Sequence, residues 1–257
     1  MKRVSLWMNR YAFLEHEGPL AFAHRGDGEA APENTAAAFQ SAVSMGFRYL
    51  ETDVHCTKDG VLIAFHDDRL DRVTNARGRI RDLDYGEVKR ARVHDREAIP
   101  LMEALLGDFP TTRFNIDPKA DAAVGPLIDV IKRTGSADRV CIGSFSDHRL
   151  RQVRAALPEV CTSMATWETA RARLSTVGIP LRGLQAACAQ VPVRWKGIRV
   201  IDPRFIRGMR DRGIQTHVWT VNDEPEMQRL LDMGVHGIMT DRPALLKRVL
   251  LSRGLWV

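Results

Sequence analysis

The sequence predicts an α/β fold, a (β/α)8 TIM barrel with a small insertion after the second strand, and three observations predict it. Short apolar runs of strand character alternate with longer amphipathic stretches almost from end to end, the pattern of a parallel sheet built from βα units. Eight such strand-like runs are present. At roughly 30 residues per unit they need about 240 residues, close to the 257 of the chain, and no linker or repeat divides them, so residues 1–257 read as one domain.

The elements follow in order. Residues 1–18 put Trp7, Tyr11 and Leu14 on one helical face, which reads as a plug on the barrel bottom rather than a membrane anchor. Strand one, 20–25, is apolar up to His24-Arg25-Gly26. Helix 34–45 follows, with Asn34 or Thr35 as N-cap and Gly46 just past its end. Strand two, 48–54, ends in Glu51-Thr52-Asp53. The stretch 56–106 is too long for one βα connection; its Lys58-Asp59-Gly60 turn followed by VLIAF predicts a hairpin and insertion beside the barrel mouth. Strands three to five are placed at 113–118, 139–144 and 160–164, with helices at 122–134, 147–156 and 167–176. Strand six is placed at 183–189, and 191–202, with Pro192, Trp195 and Gly197, is read as a loop over the same face. Strand seven at 215–221, helix 224–233 stopped by Gly234, strand eight at 235–240 and helix 243–250 complete the count. Asp241 is read as the cap of that last helix, with Pro243 just inside it.

Composition narrows the class. At 44% hydrophobic and 27% charged residues the chain is an ordinary globular one, not disordered or fibrous. Charges interrupt every apolar run well short of the roughly 18 residues needed to cross a bilayer. The amino terminus lacks the apolar core and cleavage pattern of a signal peptide, so the expected compartment is the cytoplasm. Cys56, Cys141, Cys161 and Cys188 have no zinc-type spacing and read as buried free thiols. Of the 38 basic residues 31 are Arg, giving a net charge of +6, but they are scattered at helix-like intervals rather than gathered with aromatics. Solvated helix faces, not a nucleic-acid surface, are the expectation.

In a barrel the chemistry sits at the carboxyl ends of the strands. His24 alone would read as a satisfied core residue. Glu51 and Asp53, two apart on a strand, face the same side. Two carboxylates inside a barrel are costly unless they share a cation, so a bound metal is the economical explanation. Asp117 and Lys119 of FNIDPK share a face and bring a third carboxylate, a hard oxygen set suited to Mg²⁺, Ca²⁺ or Mn²⁺. VLIAF returns His66-Asp67-Asp68 to the mouth as a second imidazole. Two His, a divalent ion, Arg25 and Lys119 suit an anionic phosphoryl substrate and acid–base catalysis. Glu33 reads as ordering the first loop, Asp59-Gly60 as turn chemistry, and Phe145, Gln185 and Asn222 as either pocket lining or local packing.

These motifs, AHRG, APENT, ETDV, TKDG, FHDDRLDRVT, VWTVN and TDRP, stand in the order found in the glycerophosphodiester phosphodiesterases, a family this chain resembles from about residue 21 to 246. The resemblance implies a (β/α)8 barrel with an insertion after strand two. It implies a divalent cation on Glu51, Asp53 and the third-strand acid, an acid–base pair at His24 and His66, phosphate binding by Arg25 and Lys119, and a substrate-pocket aromatic at Trp219. The third-strand acid is more often Glu in that family; Asp117 is one methylene shorter and precedes Pro118. The expected reaction is hydrolysis of a glycerophosphodiester, a small-molecule substrate, to glycerol 3-phosphate and an alcohol. His24 is assigned as base and His66 as acid from position, and the reverse pairing fits the spacing as well. A lysophospholipid or sphingolipid phosphodiesterase on the same site is the alternative; an apolar ridge at the mouth would favour it, and Trp195 is its one candidate in the sequence. A non-catalytic phosphate-binding barrel would not need two His and three acids.

Overall fold

A computed structural model describes residues 11–176 and 183–256. Eight parallel strands form a nearly closed barrel: β1 Leu20–His24, β2 Tyr49–Cys56, β3 Arg113–Pro118, β4 Val140–Ile142, β5 Cys161–Thr162, β6 Cys188–Pro192, β7 Gln215–Trp219 and β8 Gly237–Thr240. Each pairs with its sequence neighbour except β5 and β6, which meet through the single bridge Ser163↔Cys188, while β1 pairs with both β2 and β8. Each strand is followed by a helix: α1 Ala36–Ser44, α2 Met102–Asp108, α3 Val124–Thr134, α4 Asp147–Ala156, α5 Thr166–Ser175, α6 Pro203–Arg210, α7 Glu224–Asp232 and α8 Pro243–Ser252. Their apolar stripes bury Phe39, Leu105, Leu127, Leu150, Phe205, Leu230 and Leu246 against the outer face of the strands, in one continuous core. Thr35 caps α1, its hydroxyl accepting from the Ala38 N–H.

The insertion after β2 is a hairpin. Strand Leu62–Ala64 runs antiparallel to β2, pairing Val54 with Ala64 and Cys56 with Leu62, and Asp59 accepts hydrogen bonds from the Thr57 hydroxyl and the Tyr85 N–H. Ile63, Phe65, Leu70, Ile80, Val88 and Ile99 close a small core of its own over that hairpin. This arm is what returns His66 to the mouth.

Three sequence expectations need correction. Strand six lies at Cys188–Pro192 rather than 183–189, so Gln190, not Gln185, points into the barrel. The segment read as loop 191–202 holds the end of β6 and a hairpin of Arg194–Trp195 with Ile198–Arg199. Helix α6, an element absent from the sequence expectation, follows it, capped by Asp202 with Pro203 in its first turn.

At the bottom, Ala12–Leu14 makes one 3₁₀ turn whose Phe13 and Leu14 are buried against Leu20, Phe22 and Tyr49. The Tyr49 hydroxyl donates to the Phe13 carbonyl and the Gln215 amide to that of Leu14. The plug expectation thus holds for residues 11–14; Trp7 lies outside the described residues. All four cysteines are free and buried, but Cys141, Cys161 and Cys188, remote in sequence, meet within 4.8 Å of one another inside the barrel. Burial pushes the thiols of Cys141 and Cys161 well above their usual range. Hydrogen bonds from the other two thiols and from the neighbouring His217, whose ring also meets Gln215 and Gln190, instead hold Cys188 well below that range.

Candidate active site at the carboxyl ends of the strands

The carboxyl ends of the strands open into a cavity of about 550 Å³ lined by His24, Arg25, Glu51, Asp53, His66, Asp117, Lys119 and Trp219. All eight residues singled out in the sequence therefore meet at one place. Strand register explains it: His24 lies beside Glu51, and Asp53 beside Asp117, across adjacent strands. The turn after β1 puts Arg25 in the left-handed region at φ 57°, where the hydrogen bonds Arg25 N–H to Glu51 O and Asn34 N–H to Arg25 O hold it. Gly26 follows at φ 84°, and a Cβ there would come within 2.7 Å of the Ala38 backbone, so only glycine lets α1 approach this closely.

Burial, charge and hydrogen bonding set the electrostatics. Asp53 is 1% exposed, with the Lys119 ammonium 2.7 Å from Oδ1 and Arg25 Nε 3.0 Å from Oδ2. Burial opposes its ionisation, but those two cations outweigh it and hold its pKa below the usual value. Lys119 also donates to Asp117 Oδ2 at 2.8 Å. Asp117 is raised by burial, and Glu51, buried and facing the charge of Asp53, is pushed up to about 7. Glu51 Oε2 and Asp117 Oδ1 are buried without a hydrogen-bond partner. Two orphaned carboxylate oxygens flanking an ionised Asp53 form a hard donor set, and this fits a divalent cation of the Mg²⁺, Ca²⁺ or Mn²⁺ kind.

Both imidazoles are held the same way. His24 Nδ1 lies 2.5 Å from Asp241 Oδ1, and His66 Nδ1 lies 2.6 Å from Asp67 Oδ1. A carboxylate on Nδ1 fixes the tautomer and leaves Nε2 for chemistry. His24 Nε2 is 3.6 Å from Glu51 Oε2. Burial works against charging His24, but Glu51 and Asp241 outweigh it and raise its pKa. Asp241 is thus a partner of His24 and not the expected helix cap; α8 has no side-chain cap. Asn222 steadies it, donating to Asp241 Oδ2 and accepting from the Asp241 N–H.

Other supporting residues were not assigned from sequence. Arg72 donates to both Asp67 and Glu33, and Glu33 accepts from Arg25, so a chain of ion pairs ties the insertion to β1. Glu33 orders this loop, as expected. His55, one step along the lumen face of β2 from Asp53, donates through Nε2 to the His66 carbonyl. Asn34 donates to Asp53 Oδ2 and accepts from Thr52. Their signal in the sequence is their place inside the APENT, ETDV and FHDDRLDRVT motifs, or, for His55, directly after ETDV. Phe145 lines the cavity and stacks edge-on with Trp219 at 5.7 Å; Gln185 does not line it.

Likeness to known proteins identifies the family. The profile of the Glycerophosphoryl diester phosphodiesterase family matches residues 24–122 and 108–245. The chain is 42% identical over 251 residues to the "Probable glycerophosphodiester phosphodiesterase 2" of Mycobacterium tuberculosis, covering 95% of both chains. It is 29% identical to a human lysophospholipase D, covering 88% of this chain and 84% of that protein. A phosphodiesterase of Oleispira antarctica, solved with the product sn-glycerol 3-phosphate, superposes with a TM-score of 0.77 at 22% identity over 91% of this chain and 97% of that one. With the barrel, the cavity and these matches in place, the chain belongs to the glycerophosphoryl diester phosphodiesterase family and is a phosphoric diester hydrolase.

Proposed function

We propose that this barrel hydrolyses glycerophosphodiesters to glycerol 3-phosphate and an alcohol, with His24 and His66 as the acid–base pair. One observation carries the reading: two imidazoles, each with Nδ1 on a carboxylate, share one cavity with Arg25, Lys119 and three carboxylates. Arg25 and Lys119 orient the phosphate and offset charge growing on its non-bridging oxygens in the transition state. His24 takes the proton of the attacking hydroxyl at Nε2, and its imidazolium is stabilised by Asp241. His66 gives a proton to the departing alkoxide from Nε2, with Asp67 holding Nδ1. Glu51, Asp53 and Asp117 would hold a divalent cation, which supplies Lewis-acid charge to the phosphoryl oxygens when bound. The test is release of glycerol 3-phosphate from glycerophosphocholine and glycerophosphoethanolamine with Mg²⁺, Ca²⁺ or Mn²⁺, and with chelator. Release should stop with chelator and fall about 10²- to 10⁴-fold in His24→Ala. No release with any metal would overturn the reading.

A second reading has a specific observation behind it. Away from the carboxylates the cavity wall is apolar, running through Met164, Val191 and Val200 to Leu174 and Ile198. This wall is the ridge that would suit the acyl chain of a lysophospholipid. A higher kcat/KM for lysophosphatidylcholine than for glycerophosphocholine would favour it.

A further inference from the structure

Six large apolar side chains are strongly exposed among the described residues; four of them, Phe145, Leu174, Trp195 and Ile198, line this mouth, and a fifth, Trp167, directly follows the mouth residue Thr166. Such clustering is unlike the single scattered apolar residues of an ordinary surface. Phe145 and Trp195 touch, with ring centroids 5.5 Å apart. Trp167 is 65% exposed at the start of α5, beside Thr166, whose hydroxyl donates to the Phe145 carbonyl.

The hairpin Arg194–Arg199 is the projecting part of this rim. Its turn is tight, with Lys196 at φ 46° and Gly197 at φ 82°. Trp195 stands directly across from Ile198, giving one apolar face. Arg194 stands directly across from Arg199, a like-charge pair that destabilises an isolated hairpin. Among the described residues no carboxylate lies within salt-bridge distance of Arg194, Lys196 or Arg199. Glu226, which both arginines influence, has its two oxygens on Arg229 instead. A ribbon with an apolar pair on one face and three cations without an ion-pair partner among the described residues calls for a partner that is apolar within and anionic at its surface.

We propose that this hairpin and Trp167 dock the barrel mouth onto an anionic phospholipid bilayer, Trp167, Trp195 and Ile198 entering the headgroup region while Arg194, Lys196 and Arg199 meet lipid phosphates. Indole rings favour that interface, and each basic residue near an anionic surface adds attraction that salt screens. Such docking turns the cavity toward the bilayer and, on the lysophospholipid reading, lets a substrate carrying an acyl chain pass from the membrane directly into the site.

The test is flotation of the full chain with vesicles of phosphatidylcholine alone and of phosphatidylcholine with phosphatidylglycerol, at low and high salt. Binding is expected on the anionic vesicles, about a hundredfold weaker without phosphatidylglycerol, at about fivefold for each of the three cations, and weakened by salt. Arg194→Glu with Lys196→Glu should lower the partition coefficient by about fivefold or more per cation, and Trp167→Glu should lower it independently. None of these three residues lines the cavity or touches the reacting groups, so hydrolysis of water-soluble glycerophosphocholine should be unchanged in the variants. That assay keeps failure of docking distinct from failure of the catalytic reading. Equal binding to both vesicle types, unchanged binding in the variants, or concentration-dependent dimers abolished by Trp167→Glu with no vesicle binding would each overturn the proposal, the last by showing a second copy of the chain as the occupant.

Discussion

The 2.5 Å contact between Asp241 and His24 decides which nitrogen of that imidazole is free. With Nδ1–H donated to the carboxylate, Nε2 carries the lone pair, and in the base role proposed for His24 its imidazolium would be charge-matched by Asp241. Asp241→Asn keeps the size of the side chain but removes that charge, and its amide can present a donor to Nδ1 and favour the wrong tautomer. We expect kcat to fall about 10- to 100-fold with little change in KM, and the thermal midpoint to stay near that of the wild type; a fall in KM alone would exclude the positioning role. A second histidine speaks to stability. His236 accepts the Thr216 N–H at Nδ1 and is lowered to about 4 by burial, with His217 and Arg210 adding to the effect. Its folded pKa lies below the unfolded value, so the unfolded chain binds the proton first as pH falls. The stability that neutral His236 contributes is present above about 6.5 and is lost between about 6.5 and 4, at most about 3 kcal/mol. Denaturation at pH 7 and 5 should show a smaller difference in His236→Asn, whose amide oxygen can accept from Thr216.

Among elements, the weakest closure of the barrel lies at β5, two residues long, and one side chain holds it. Arg154 of α4 donates to Thr162, the Ser163 carbonyl and both oxygens of Glu168, at 2.8 to 3.0 Å, joining α4, β5 and α5. Both charges are largely buried, so removing one strands the other. Arg154→Ala should cost about 3 to 5 kcal/mol by urea unfolding, and pairing it with Glu168→Ala should recover part of that; an additive double variant would show that the two do not act as a pair. Legibility in the sequence follows the same division. Strands β1 to β3 carry β-branched or aromatic residues ending in a polar cluster, and their ends were readable from that switch. Strand β6 lies in an Ala-rich run, and its inward Gln190 is satisfied by Asn115 across the lumen, so polarity there marks the interior rather than an end. The sequence pattern therefore places this strand several residues too early. The ion pairs through Arg72 and Asp241 were hidden for another reason: they join elements whose distance in sequence says nothing of their approach in space.

The whole molecule separates stability from chemistry along the barrel axis. Below lie Phe13, Phe22, Tyr49, Met239 and the three thiols, an apolar floor; above lie the carboxylates, imidazoles and cations of the mouth. Alternation along the strands makes this possible, since residues two apart share the lumen at successive heights, Tyr49 at the floor and Glu51 and Asp53 at the mouth on one strand. That arrangement was legible where the sequence placed polar residues at strand ends, but the floor was not, because apolar residues facing the lumen and those facing the helices look alike in a chain. The separation makes a test. Phe13 is fully buried and meets Tyr49 edge-on at 5.3 Å, so Phe13→Ala leaves a cavity and should cost about 3 to 5 kcal/mol. At a temperature where circular dichroism shows the variant folded, its kcat/KM for glycerophosphocholine should match that of the wild type, whereas Asp241→Asn should show the reverse, a stable protein of low kcat. Loss of kcat/KM in folded Phe13→Ala would mean that packing at the floor is transmitted to the mouth, along the strands or through Gln215, His217, Gln190 and Asn115, whose side chains link the Leu14 carbonyl to the cavity.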